Sequence, residues 1–243
     1  MLHFRGRVVN LAALRAQRFP SQRARSVFVT GATGYLGRTL IPVLLSRGHG
    51  VCALARKGSE ARVPAGARVV IGDALDASSF ATRIAPAETL VHLVGTPHPS
   101  PAKAASFRSV DLRSVQAAVE AARLSGIRHF VYLSVAQPAP VMASYIAVRQ
   151  AGEALIRASG TAATILRPWY VLGPGHRWPI LLQPVYALLC CFAATRDSAQ
   201  RLGLVTLAQM VRALVAAVER EPEGYRVLSV PDIRSAAVGD LPE

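Results

Sequence analysis

The chain has 243 residues, 51% of them apolar, which is enough to bury a full core in one α/β domain. Its formal charge of +14 comes from 28 basic against 14 acidic residues, and 26 of the basic residues are arginine. These arginines are dispersed without interleaved aromatics, which speaks against a nucleic-acid surface, and the spacing of Cys52, Cys190, Cys191 and six histidines matches neither a metal site nor a disulfide framework. Buried, reduced thiols in the cytoplasm are the expectation.

Residues 1–25 carry Arg5, Arg7, Arg15, Arg18, Arg23 and Arg25 and no acidic residue, and are expected to lie outside the fold as a basic leader. Their apolar members are too scattered for a secretory signal. A flexible basic tail, a start codon assigned too early and an organellar transit peptide each fit the composition.

From Ser26 the pattern alternates between apolar runs and helical segments. It predicts strand 26–30, helix 35–47, strands 50–55 and 68–72, helix 77–84 and strand 89–94. Helix 107–125, strand 128–133, helix 143–159 and strand 162–167 follow. Strands that are continuous apolar runs, such as Phe130-Val131-Tyr132-Leu133, imply a parallel sheet covered on both faces, hence a doubly wound α/β domain. The link between the second and third strands is too short for a full crossover helix and predicts a single turn.

After Arg167 the alternation stops. Pro168, Gly173, Pro174, Gly175 and Pro179 mark a long connection, then come an apolar segment to Ala194, a helix over 206–219 and a strand over 225–229. Residues 168–222 are expected to form a small substrate lobe on a domain spanning 26–230, with 231–243 as a tail. The uncharged run from Trp178 to Thr195 is interrupted by Pro179, Gln183 and Pro184, which favours a core or interfacial helix over a membrane span; membrane association is not favoured.

The chemistry starts where the first strand ends, in Thr30-Gly31-Ala32-Thr33-Gly34-Tyr35-Leu36-Gly37. Gly31 lets the backbone turn sharply, Gly34 leaves room for a pyrophosphate, and Gly37 lets the next helix sit close. The unpaired N–H groups around Thr33, Gly34, Tyr35 and Leu36 then face that phosphate at a helix N-terminus. A dinucleotide is the predicted partner, together with a small-molecule substrate.

The second strand ends in Ala55-Arg56-Lys57, where an NAD site usually places an acid for the ribose hydroxyls. Two cations there suit a 2′-phosphate, so NADP is favoured over NAD. Asp73, closing the third strand, is a candidate acceptor for the adenine amino group. Val94 and Gly95, closing the fourth, leave space for the cofactor. Ser134 ends the fifth strand, and Tyr145 and Arg149 lie one turn apart on the following helix. A cation beside a tyrosine is a common way to prepare a phenol for proton transfer.

Thr30 to Gly37, Gly72-Asp73, Leu133-Ser134, Tyr145-x-x-x-Arg149 with Glu153, and Leu166-Arg167-Pro168 with Gly173-Pro174-Gly175 together resemble the atypical and extended short-chain dehydrogenase/reductases. The likeness spans about residues 26–230 and is greatest to the branch holding NmrA-like proteins and the NADPH-binding accessory subunit of respiratory complex I. It implies Tyr145 as acid/base, Ser134 polarising a substrate carbonyl and Arg149 holding the ribose. The family signature has lysine where this chain has Arg149, which is planar, bulkier and always charged. Two functions follow: an NADP-dependent oxidoreductase or epimerase-like enzyme, and a chain that binds NADPH as a sensor or stabilising subunit without turning it over.

Overall fold

Among the described residues nine mostly apolar segments become strands: β1 (Ser26–Thr30), β2 (Gly50–Ala55), β3 (Arg68–Ile71), β4 (Thr89–His92), β5 (His129–Leu133), β6 (Ala162–Leu166), β7 (Tyr170–Leu172), β8 (Leu204–Thr206) and β9 (Tyr225–Leu228). They belong to a computed structural model that describes residues 23–97, 99–139, 141–174 and 201–236. Seven of them pair in parallel in the order β3-β2-β1-β4-β5-β6-β9. The order reverses between β1 and β4, so the carboxyl ends of these two neighbours open a crevice.

Because side chains alternate across a strand, β1 feeds two separate cores. Val27 and Val29 pack on one face with Leu40, Ile41 and Leu44 of helix α1 (Tyr35–Ser46). Phe28 packs on the other with Ala118 and Ala121 of α2 (Arg113–Leu124) and Ile156 of α3 (Ala143–Ala158). This is the doubly wound architecture that the sequence predicts.

The link after β2 is the expected single turn, Glu60–Arg62. With no crossover helix over that edge, Val69 and Ile71 of β3 are 39% and 45% exposed while Val70 is buried on the opposite face.

Several predicted elements differ in detail. Helix 77–84 is two short 3₁₀ turns, Ala77–Ser79 and Ala81–Arg83. There the Ser79 hydroxyl bonds the backbone carbonyls of Asp73 and Asp76, and the Asp76 carboxylate accepts from the Ser78 amide. Such local bonds compete with a regular helix. Helix 107–125 opens instead with a π-helical stretch, Phe107–Leu112, before α2.

Helix α4 (Leu207–Glu219), grouped by sequence with the lobe, packs instead into the first core through Met210, Leu214 and Val218. The strands β7 and β8 form a separate parallel pair. Helix α5 (Val230–Ser235) occupies part of the predicted tail and buries Val230 and Ile233 completely.

The amino-terminal boundary also moves. Arg25, placed by sequence in the leader, is 6% exposed. Its amide donates to His49 Nδ1 at 3.1 Å, and its guanidinium reaches the Glu219 carbonyl and the Glu221 carboxylate. Among the described residues no helix is long and apolar enough to cross a membrane. The run from Trp178 to Thr195 lies outside the described residues.

Candidate dinucleotide site

The glycine turn sits on the β1 side of the crevice. Gly31 has φ +74°, and a Cβ there would lie 2.8 Å from the Leu93 carbonyl carbon and 2.9 Å from the Val94 nitrogen. A Cβ on Gly37 would lie 2.5 Å from the Gly31 oxygen and 2.6 Å from that of Ala32, so this third glycine lets α1 rest on the turn itself. Gly34 donates to the Gly31 carbonyl at 3.0 Å and caps α1 without a side-chain hydrogen bond. No acidic residue occupies the first turn of α1. Orphan amides at a helix start, room above Gly34 and no competing carboxylate fit a bound pyrophosphate.

Tyr35 leaves this turn in the opposite sense. Its phenol approaches Gly173, where a side chain would collide with it, so the α1 start is packed against the segment after β7. Burial raises the Tyr35 pKa, with Tyr170 adding to the shift.

Arg56 and Lys57 follow β2 directly and are exposed. The 56–62 link then winds back through Ser59 N–H to the Arg56 carbonyl and Arg62 N–H to the Ser59 carbonyl. This brings the Arg62 guanidinium to the Thr33 carbonyl, 3.4 Å away, beside the glycine turn. Sequence spacing does not reveal Arg62, because two successive turns decide where it points. Asp73 accepts the Leu75 amide at 3.0 Å in a local turn and stays exposed.

Val94, Gly95 and Thr96 follow β4, and this loop is held by Asp111 in the π-helical stretch. The Asp111 carboxylate, fully buried, accepts Thr96 Oγ1 at 2.5 Å, the Thr96 amide at 3.1 Å and Arg149 Nη2 at 2.6 Å. A side chain on Gly95 would collide with the Arg149 guanidinium. Arg149 Nη1 donates to the Leu133 carbonyl at 3.0 Å and to the Tyr132 hydroxyl at 3.4 Å. Burial alone would disfavour the Arg149 charge, but Tyr132, Tyr145 and the Asp111 carboxylate reverse this and raise its pKa.

Tyr145, half-buried at the start of α3, lies between Phe107, at 5.0 Å between ring centroids, and the Arg149 guanidinium, 5.1 Å from its ring. The loop before it is short enough that Met142 turns with φ +63°, a conformation that costs a non-glycine residue about 1 kcal/mol. Ser134 is buried and donates its hydroxyl hydrogen bond to Glu153, which also accepts Gln137 Nε2 and Nε and Nη2 of Arg167. The structure thus brings Arg149 to the ring of Tyr145, while the Ser134 hydroxyl is committed to Glu153.

Residues 31–177 match the family described as NAD(P)H-binding. The chain belongs to that NAD(P)H-binding family. A ceramide reductase of Caulobacter vibrioides is 34% identical over 156 residues, covering 61% of this chain and 47% of the relative. A 3-diazoavenalumate denitrifying reductase of Streptomyces is 32% identical over 178 residues, covering 61% and 57%. The chain therefore spans about half the length of these curated relatives. Among solved structures, the Bordetella bronchiseptica enzyme WbmH in complex with NAD+ superposes with a TM-score of 0.63 at 20% identity, covering 90% of this chain and 84% of that one.

The chain is a member of the NAD(P)H-binding family with the short-chain dehydrogenase/reductase architecture, and its closely packed glycine turn lies on the β1 side of the crevice. On the other side lie Tyr145 and Arg149. The tyrosine and arginine are adjacent, yet the arginine fork is filled by Asp111, Leu133 and Tyr132. Asp111 was not singled out from sequence, since a lone acid in a helical segment carries no spacing signal.

Proposed function

We propose that the chain is an NADP(H)-binding protein of the reductase type, working on a small-molecule substrate over the carboxyl ends of β4 and β5. The observation that carries the cofactor choice is the exposed Arg56-Lys57 pair directly after β2, with Arg62 folded back to Thr33. Guanidinium groups pair strongly with phosphate oxygens, and no acid ends β2 to take the ribose hydroxyls of NAD. Gly31, Gly34, Gly37 and the amides of Thr33, Tyr35 and Leu36 hold the pyrophosphate in this reading, with Asp73 at the adenine and Val94 and Gly95 beneath the nicotinamide half. The nucleotide supplies hydride chemistry when bound; the chain supplies binding, orientation and, through Tyr145, a proton-bearing hydroxyl.

Fluorescence titration tests the assignment. NADPH is expected to bind about tenfold more tightly than NADH, and Arg56→Ala to remove most of the difference. Equal affinities in the unmodified chain would overturn the preference.

A second reading, a chain that holds NADPH without turning it over, is favoured by the engagement of Arg149 with Asp111 and of Ser134 with Glu153. Both are groups that the catalytic reading needs for substrate and ribose. Turnover of generic aldehydes and ketones that is absent while NADPH binds supports the second reading. Turnover abolished by Tyr145→Phe supports the first.

A further inference from the structure

Asp111 meets both walls of the crevice by two independent routes. Through its carboxylate it holds the Thr96 amide and hydroxyl, and so the loop after β4, together with Arg149 of α3. Through its backbone carbonyl it accepts the Ser114 hydroxyl at 2.9 Å. Having spent its proton there, Ser114 Oγ accepts from His92 Nε2 at 3.2 Å, which leaves His92 Nδ1 to accept the Thr30 hydroxyl at 2.8 Å. Thr30 is the residue before Gly31. The chain of bonds Thr30, His92, Ser114, Asp111, Thr96 is buried apart from the half-buried Thr96, and it runs from the glycine turn to the β4 loop through one π-helical stretch.

Such a stretch widens a helix by one residue per turn and is often found where a side chain must be aimed. Here it places the Asp111 carboxylate beneath Gly95, where an added Cβ would lie 3.2 Å from Asp111 Oδ1. The guanidinium at the same glycine has three partners of its own, Asp111, the Leu133 carbonyl and the Tyr132 hydroxyl, and meets Tyr145 at the ring face.

We infer that Asp111 is the positioning residue of the dinucleotide site, setting the separation of the glycine turn and the β4 loop, and that Arg149 serves the site by compensating the Asp111 charge rather than by gripping the nucleotide. The inference rests on dinucleotide binding, not on a preference for NADP. NADH and NADPH are expected to lose affinity by the same factor in every variant below, so equal cofactor affinities in the unmodified chain would overturn the NADP assignment and leave this one standing.

The test uses the full chain and reads NADPH and NADH dissociation constants by nicotinamide fluorescence, at a temperature well below each variant's melting point. Asp111→Asn alone leaves Arg149 buried without a counter-charge and is expected to weaken binding about tenfold or more. The double variant Asp111→Asn with Arg149→Met removes both charges yet keeps an amide that pairs with Thr96; it is expected to recover to within about threefold of the unmodified chain. Asp111→Ala with Arg149→Met is equally neutral but has no group for Thr96, and is expected to stay about tenfold weaker. Thr96→Val, which removes one hydroxyl and threatens the fold least, is expected to weaken binding about threefold.

A role in charge balance alone would let both double variants bind like the unmodified chain, and that result overturns the inference. Failure of the Asn/Met pair to recover, in folded protein, also overturns it, because Arg149 would then be needed at the nucleotide itself.

Discussion

Ser134 at the end of β5 donates its hydroxyl to Glu153 Oε1, 2.5 Å away on α3, and the same carboxylate takes Arg167 from the residue after β6. Three consecutive elements are tied at one buried acid that is 5% exposed. The bond therefore belongs first to the fold.

Loss of either side should register as stability. Ser134→Ala removes one hydrogen bond to a charged group and is expected to cost about 1 to 2 kcal/mol. Glu153→Ala strips Arg167 and Gln137 at once. With Arg167 itself partly exposed, the expected cost is about 3 kcal/mol, at the low end for a broken buried pair. Urea unfolding midpoints check both, and an unchanged midpoint in Glu153→Ala would show that the cluster contributes nothing net.

Gly37 separates binding from folding. Its added Cβ would press on two backbone carbonyls of the turn, at 2.5 and 2.6 Å, and neither can rotate away as a side chain could. Gly37→Ala is expected to push α1 off the turn and weaken NADPH binding by about tenfold or more, the scale of a lost charge-assisted contact. Gly50→Ala at the start of β2, where nothing lies within 4 Å, is expected to bind as the unmodified chain does. Matched affinities for the two variants would sink the close-approach account.

Acid should destabilise the fold through two buried histidines. Burial, reinforced by Arg149, pushes His92 from 6.5 down to about 3; burial with Arg25 nearby pushes His129 from 6.5 to about 4. Both are neutral when folded, and between those values the unfolded chain binds more protons, so stability falls as pH drops below 6.5. Each contributes a slope of up to about 1.4 kcal/mol per pH unit in that window. Unfolding midpoints measured from pH 7 to pH 5 should decline, and His129→Gln, which can still meet Thr164, should reduce the slope by about one proton. A flat profile over that range would contradict the buried neutral state.

The glycine turn and the sheet were legible because their signals are local: Val27 to Thr30 runs straight into Gly31, and β4 and β5 are short segments free of charged Asp, Glu, Lys and Arg, centred on Leu90-Val91 and Phe130-Val131-Tyr132. The chemistry at the other end was not, since its bonds are remote. Asp111 meets Arg149 across 38 positions and Thr96 across 15, and only the packing of α3 on the π-helical stretch unites them. Arg62 is hidden by the two turns that fold it back to Thr33. Strands β7 and β8 have three residues each, too few for a period to show. Helix α5 falls where the sequence reading places a tail, although Ser229 and Asp232 spell a capping box around Pro231, because six residues are too few to show a helical period.

Arg25 is tied into the fold by its backbone and by its side chain. Arg25 gives its amide to His49 Nδ1, and His49 Nε2 in turn meets Glu219 Oε1 at 3.1 Å, next to Arg47. Burial raises the Glu219 pKa, but bonds from His49 and Arg47 outweigh it and hold the carboxylate below its ordinary range. Arg25 itself reaches the Glu219 carbonyl at 3.3 Å, so it closes the start of β1 onto the end of α4. A chain beginning just before Arg25 keeps all of these bonds and gives up the exposed Arg23–Glu88 ion pair, and is expected to melt within about 2 °C of the full chain, since exposed ion pairs contribute little. Arg25→Ala leaves the amide in place but removes the buried guanidinium, whose side chain is 5% exposed, and is expected to cost about 1 to 3 kcal/mol. Differential scanning calorimetry of the two variants distinguishes them: an equal and large loss in both would mean that residues before Arg25 also hold the domain together.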